Sequence, residues 1–152
     1  YTTLFRSTNL LGTVRVSSAF VEQLKQQPDA VLINNSSILA FLPLVTNALY
    51  SATKAAIHSY TLSQRFLLRD AGVKVIEISP PWVDTDLIYK SGDSRAMPLA
   101  DFIQQTFEKL ATDSIEAIVD SVLPARANQG ANEHEMVNAF NQSMVDNPIP
   151  VA

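Results

Sequence analysis

Two short apolar runs on either side of one long helical pattern constrain this chain more than any other feature. Ala30-Val31-Leu32-Ile33 is an unbroken apolar run, the pattern of a strand covered on both faces. Val73-Lys74-Val75-Ile76-Glu77-Ile78 is a second such strand. Between them residues 48–69 read as a helix, with Thr46 or Asn47 to cap its start and Asp70-Ala71-Gly72 to stop it. A strand, a long helix and a strand make a crossover unit, so the two strands lie parallel and the fold class is α/β.

The flanks extend this unit. Leu10, Val14, Ser17, Val21 and Leu24 form one stripe of a helix over residues 9–26, ended by Pro28-Asp29. Asn34-Asn35-Ser36-Ser37 closes the first strand, and an apolar loop runs from Ile38 to Val45. Pro80-Pro81 opens a loop reaching Met97. Leu99, Ile103, Phe107 and Leu110 predict a helix over 98–111. Ile115, Ile118, Val119 and Val122 predict another, capped by Asp113 with Glu116 three residues on. A last helix is expected over 132–144, then an irregular tail from Asp146 to Pro150, with no closing strand.

Two strands alone do not make a stable open sheet, and doubly wound sheets are built from two halves. The expected fold is therefore the C-terminal half of a doubly wound Rossmann-type parallel sheet, truncated before the Gly-rich loop. The glycines agree: Gly12, Gly72, Gly92 and Gly130 lie far apart, whereas a dinucleotide-phosphate loop needs them clustered. Residues 1–7, Tyr-Thr-Thr-Leu-Phe-Arg-Ser, are what TAC ACG ACG CTC TTC CGA TCT encodes, a string that looks like a sequencing adapter. They are expected to be non-native, with a partial nucleotide-binding domain over 8–152.

Composition removes several functions. Apolar residues at 47% against 17% charged describe a core-forming chain. A net charge of -4 without a Lys/Arg stripe argues against nucleic acid as a partner. The absence of cysteine excludes disulfides, thiolate metal sites and cysteine nucleophiles, and accords with a reducing compartment. The longest apolar run, Ile38 to Val45, is too short to span a membrane, and the start does not resemble a secretion signal. A cytoplasmic location is the expectation.

The chemistry centres on Tyr50-Ser51-Ala52-Thr53-Lys54. Residues four apart on a helix share a face, so Tyr50 and Lys54 are neighbours. A nearby ammonium favours the phenolate and lowers the phenol pKa from about 10. A phenol so tuned serves as general acid or base on a carbonyl or alcohol. Ser37 lies thirteen residues before Tyr50, directly after a buried strand. Open α/β sheets bind their ligands at that strand end.

Asn34-x-Ser36-Ser37 followed by Tyr50-x-x-x-Lys54 resembles the active-site signature of the short-chain dehydrogenase/reductase family. Pro80-Pro81-Trp82-Val83-Asp84-Thr85 resembles its Pro-Gly-x-Val/Ile-x-Thr cofactor motif, and Asn9-Leu-Leu-Gly12 its Asn-x-x-Gly. The segment Met97 to Met144 looks like a bacterial subgroup named for D-alanine esterification of teichoic acids. The resemblance covers residues 8–90 and implies NAD or NADP as cofactor and a small carbonyl/alcohol substrate.

It also implies roles. Tyr50 would exchange the proton, and Lys54 would lower its pKa and hold the nicotinamide ribose. Ser37 would hydrogen-bond the substrate oxygen. Asn9 would hold a water linking Lys54 to solvent. Pro80, Val83 and Thr85 would meet the cofactor. Leu39 and Trp82 would line the substrate site, and with Leu42 and Leu87 they suggest a hydrophobic substrate. Ser36 is the alternative to Ser37, although the spacing favours Ser37; Asn34 reads as a structural tie between strands. Small-residue faces on helices 9–26 and 48–69 match the family's dimer interface, so a homodimer or tetramer is expected of the full-length protein. Pro81 departs from the family's Gly, which fixes φ and removes an N–H. The competing function is a cofactor-sensing or interaction module, inactive as truncated.

Other signals carry less. Glu133-His134-Glu135 lacks the second His of a zinc helix, since that position is Asn138, and no metal is expected. His58 reads as a packing or interface residue. The sequons at Asn34, Asn35 and Asn141 are chance matches, and no G-x-S-x-G elbow surrounds the serines.

Overall fold

The computed structural model describes residues 5–87 and 92–148. Residues 1–4 of the stretch read as adapter-derived, and 149–150 of the expected tail, lie outside the described residues. The chain opens with a π-helical segment, Phe5–Gly12, continued by α1, Thr13–Leu24. At their junction the Thr13 hydroxyl donates to the Asn9 carbonyl at 2.6 Å. Along the predicted stripe only Ser17 is fully buried; Leu10, Val14, Val21 and Leu24 are half-buried.

The crossover forms as expected. β1 is Val31–Asn35, α2 is Ala48–Leu68 and β2 is Lys74–Ile78. The strands pair in parallel, Leu32 beside Val75 and Asn34 beside Glu77. Gly72 ends the helical stretch at φ 71°, a left-handed conformation that glycine adopts without Cβ strain. Ala30, Leu68, Val73 and Val75 form a buried cluster, with Val21, Leu24 and Leu32 packed on it. Both α1 and α2 therefore cover the Leu32 face of the sheet.

The opposite face of β1 differs from expectation. Val31 and Ile33 are 44% and 45% exposed, so the strand is covered on one face and not two. Asn34 is a tie between strand and helix and not between strands: its Nδ2 donates to Thr61 Oγ1 at 2.9 Å and to Gln64 Oε1 at 2.8 Å, both on α2.

The expected helix over 113–122 does not form. Glu116–Ala117 is a short strand, β5, parallel to β2, giving the sheet order β1-β2-β5. A closing strand is thus present where none was expected. The Ser114 hydroxyl donates to the Glu116 carbonyl at 2.7 Å and accepts from the Glu116 N–H at 3.2 Å, local bonds that compete with a helix. The Glu77 N–H donates to the Ile115 carbonyl at 3.0 Å, so the edge of β2 finds its partner there. Arg126 takes Glu116 from any capping role with two bonds of 2.9 and 3.0 Å.

The loop after β2 contains a two-residue parallel pairing, β3 (Val83–Asp84) with β4 (Met97–Pro98). α3, Leu99–Leu110, follows; Phe102 packs inward, while Leu99, Ile103 and Phe107 stand exposed. α4, Leu123–Ala127, and α5, Glu133–Asp146, complete the order. A second core joins the loop after β1 to the C-terminal segments: Phe41 and Leu42 pack with Ile118, Val119, Val122 and Ala125, against Met136, Val137 and Phe140 of α5.

Candidate active site

The carboxyl end of β1 carries Ser36 and Ser37 into the loop, and the first turns of α2 carry Tyr50 and Lys54 beside them. Ser37 caps the single turn Ile38–Ala40, its Oγ accepting the Leu39 N–H at 3.2 Å. The Ile38 N–H donates to the Pro80 carbonyl at 2.9 Å, which ties the serine loop to the exit of β2. Ser51 donates to the Asn47 carbonyl and accepts the Leu44 N–H, so the chain entering α2 is fixed.

Lys54 is 9% exposed, and its Nζ donates to the Asn35 carbonyl at 2.9 Å. The same ammonium stands 5.6 Å from the centre of the Tyr50 ring. Burial pushes the Tyr50 phenol above its ordinary value, and the Ser37 hydroxyl beside it pulls the other way without cancelling the rise. Burial pushes the Lys54 ammonium below its ordinary value. The expected lowering of Tyr50 by Lys54 is therefore not the balance in this geometry: desolvation wins. Phe5 meets the Tyr50 ring edge-on at 5.6 Å.

Ser37, Tyr50 and Lys54 thus come together. Ser36 does not join them: it is 2% exposed, and its Oγ bonds Ser79 Oγ at 2.8 Å and the Ile78 carbonyl at 3.3 Å. Asn9 lies in the π-helical segment, half-buried, and among the described residues its bond is to Thr13 and not to Lys54. The Asn35 carbonyl, which sequence reasoning passed over, is the Lys54 acceptor.

Val83 and Thr85 lie on the neighbouring loop. Thr85, with Asp84, Asp86, Pro98, Leu99 and Ala100, lines an open depression of about 340 Å³, and its Oγ1 accepts the Leu87 N–H at 3.4 Å. Trp82 is half-buried; its carbonyl accepts the Met97 N–H at 2.8 Å, and the Arg95 guanidinium stands 5.7 Å from its ring. Arg95 in turn binds Asp93 and reaches the Asn147 carbonyl at 2.6 Å.

Two of the apolar residues expected at the substrate site lie elsewhere. Leu42 is 7% exposed and packed in the second core, because the turn after Ile38–Ala40 points it inward. Leu39 lines an apolar pocket of about 250 Å³ with Ala48, Ala52 and Ala55. That face of α2 is turned well away from Tyr50 and Lys54.

His58, expected as a packing or interface residue, bonds Glu77 Oε2 through its Nδ1 at 2.8 Å, and Glu77 is 0% exposed. An acid in the middle of a buried apolar strand demands a partner, and that was the available signal.

Similarity to known proteins defines the family. Residues 4–96 match the family model described as short chain dehydrogenase, and the chain belongs to that family. It is 38% identical over 108 residues to an uncharacterized oxidoreductase, DltE, of Bacillus subtilis (strain 168), covering 71% of this chain and 43% of that protein. It is 46% identical over 79 residues to an uncharacterized oxidoreductase of Staphylococcus epidermidis, covering 52% of this chain and 34% of that one. The expected subgroup is thereby borne out, and the chain spans less than half the length of these relatives.

Among solved structures, a short chain dehydrogenase from Burkholderia cenocepacia in complex with NADP superposes with TM-score 0.67 at 24% identity, over 94% of this chain and 57% of that one. One from Sphingobium yanoikuyae in complex with NADPH gives 0.71 at 15% identity, over 97% and 57%. Both share the Rossmann-type fold, of which this chain is about half.

Proposed function

We propose that the protein carrying this chain transfers hydride between NAD(P)(H) and a small carbonyl or alcohol, with Tyr50 as general acid/base. The observation that carries the reading is the convergence of Ser37, Tyr50 and Lys54 at the carboxyl end of a parallel strand. That two structural neighbours are described with NADP and NADPH supports the cofactor class. The lengths of the relatives support taking residues 8–152 as part of a larger nucleotide-binding domain.

The donor set suits the nicotinamide half of such a cofactor. Lys54 Nζ has three N–H groups; one binds the Asn35 carbonyl, and two are available for ribose hydroxyls. Thr85 Oγ1 accepts from Leu87, which leaves its own proton to donate to a carboxamide or phosphate, with Pro80 and Val83 framing that side. When bound, the cofactor supplies the hydride. The chain's own residues do the rest. Ser37 Oγ donates to the substrate oxygen as charge develops there. Tyr50 Oη gives that oxygen its proton in reduction and takes it back in oxidation. Lys54 holds positive charge behind the phenol, and Asn9 connects Lys54 to solvent through water.

Trp82 is proposed as a substrate-side residue. A homodimer or tetramer built on the outer faces of α1 and α2 and a cytoplasmic location go with this reading. The test is to express the complete protein, supply NADPH or NADH with a panel of aldehydes and ketones, and follow nicotinamide absorbance. Turnover that Tyr50→Phe abolishes supports the reading. Cofactor binding without turnover of any panel member favours a sensing module instead.

A further inference from the structure

A buried polar chain runs behind the site and is used by none of the roles assigned above. Glu77 lies in β2 between β1 and β5, on the sheet face that α2 covers. Its Oε2 accepts His58 Nδ1 at 2.8 Å; His58 is one turn beyond Lys54 on α2. Its Oε1 faces Ser79 Oγ at 3.4 Å, and Ser79 Oγ meets Ser36 Oγ at 2.8 Å. Ser36 is adjacent to Ser37. All four side chains are buried, with Glu77 at 0%, Ser79 at 1%, Ser36 at 2% and His58 at 8% exposure.

The donor order follows from elementary chemistry. A carboxylate only accepts, so Ser79 O–H and His58 Nδ1–H both donate to Glu77. Ser79 has then used its proton, so Ser36 O–H donates to Ser79 at 2.8 Å in preference to the Ile78 carbonyl at 3.3 Å. One carboxylate thereby fixes the rotor of each hydroxyl and the tautomer of the histidine. The chain cross-links the element that carries Ser37 to the helix that carries Tyr50 and Lys54. The Phe41 ring packs at right angles to the imidazole, with ring centres 5.0 Å apart.

We propose that Glu77, His58, Ser79 and Ser36 are positioning residues, which set Ser37 against Tyr50 through this hydrogen-bond chain. The inference rests on the reductase reading for its kinetic arm only. A direction of order counts here: a displacement of about 1 Å in a reacting group can cost on the order of a hundredfold in rate.

The test uses the complete protein and two deletion/rescue pairs. Ser79→Ala removes one hydroxyl and Ser79→Thr restores it. His58→Leu removes the Nδ1 donor and His58→Asn restores a donor at that place. The readouts are kcat and KM on the aldehyde that the unaltered protein turns over fastest, NADPH affinity by fluorescence, and the ionisation of Tyr50 by difference absorbance against Tyr50→Phe.

The deletions are expected to lower kcat by about tenfold or more, with KM and NADPH affinity within about twofold. They should also move the Tyr50 titration upward, because Ser37 is the group that lowers it. Each rescue should return kcat to within about threefold. An unchanged Tyr50 titration, an unchanged kcat, or rescues as poor as the deletions would overturn the proposal. If the unaltered protein reduces no aldehyde or ketone of the panel, the reductase reading falls and the titration alone decides on positioning. Should His58→Leu fail to fold, the Ser79 pair carries the test.

Discussion

Lys54 Nζ stands 5.6 Å from the centre of the Tyr50 ring while its hydrogen bond goes to the Asn35 carbonyl. The cation is aimed at the strand end and not at the phenol oxygen, and both groups are shifted by burial toward their neutral forms. The pair is held ready for a further charged partner, whose arrival would reverse the desolvation cost on Tyr50.

The first consequence concerns pH. In the cofactor-free protein Tyr50 should ionise above the ordinary tyrosine value, and oxidised NADP should bring it down, as read by difference absorbance against Tyr50→Phe. The stability linkage has a definite sign. Below the unfolded-state pKa both states hold the proton, and the contribution is fully present. Above it the unfolded state ionises first, so stability is lost as pH rises through the raised folded value. A Tyr50 titration below that of free tyrosine without cofactor would contradict this.

Removing the acid/base group should be far more damaging than removing its cation. Tyr50→Phe in the complete protein is expected to lower kcat by about 10²–10⁴-fold with little change in fold. Lys54→Met should lower kcat and weaken NADPH binding together, because in the proposed mechanism the ammonium serves both the phenol and the ribose. Steady-state kinetics with a fluorescence titration of NADPH separates the two patterns.

Asn34 predicts a stability effect without a kinetic one. Its amide nitrogen holds Thr61 and Gln64 of α2 in a buried setting. Asn34→Ala leaves two buried acceptors unmatched and should cost about 2–4 kcal/mol in urea unfolding. An effect below about 0.5 kcal/mol, the range of an ordinary surface change, would show that the tie is dispensable.

The Glu116–Arg126 pair predicts acid sensitivity. Burial raises the Glu116 carboxyl, but the Arg126 hydrogen bonds and charge, with His58 and Arg65 behind them, bring it below its ordinary value. A depressed carboxylate contributes stability above its unfolded pKa and loses it as pH falls through the folded value. Arg126→Met should remove that slope and, for a pair still partly solvated, cost roughly 1 kcal/mol at neutral pH. Thermal unfolding from neutral to acid pH checks both.

The uncovered surface predicts association. Val31 and Ile33 face outward on an edge strand, and Phe20, Phe66 and Leu67 stand exposed on α1 and α2. The chain as given should self-associate in light scattering, and Ile33→Lys should reduce this. In the complete protein Phe66→Asp should dissociate the proposed dimer, as read by light scattering, while Ile33→Lys should destabilise the fold.

Much of this architecture was legible because periodicity reports burial. The run Val73–Ile78, the helix stop at Gly72 and the Tyr50/Lys54 spacing all held as structure. What failed was any element defined by pairing alone. Ile115, Ile118, Val119 and Val122 have helical spacing, yet Ser114 and the open edge of β2 turn Glu116–Ala117 into a strand. The β3–β4 pairing joins residues fourteen apart through two-residue strands, too short to leave a pattern. Covering of both faces of β1 was expected because an apolar run does not say which of its faces this chain itself covers. In the site, backbone acceptors such as the Asn35 carbonyl carry no side-chain signature, so their part emerged only from the fold.

Asn141 binds the Val45 N–H at 2.7 Å and the Pro43 carbonyl at 2.9 Å, across 96 and 98 residues of sequence. The loop between Ser37 and Tyr50 therefore takes its shape from a helix that is synthesised well after it. Closing so long a loop is slow relative to forming α2 or pairing β1 with β2. The site should mature as a late phase in refolding, after the helical signal has recovered, and nascent chains lacking α5 would carry Tyr50 and Lys54 on a formed helix without a set floor beneath them.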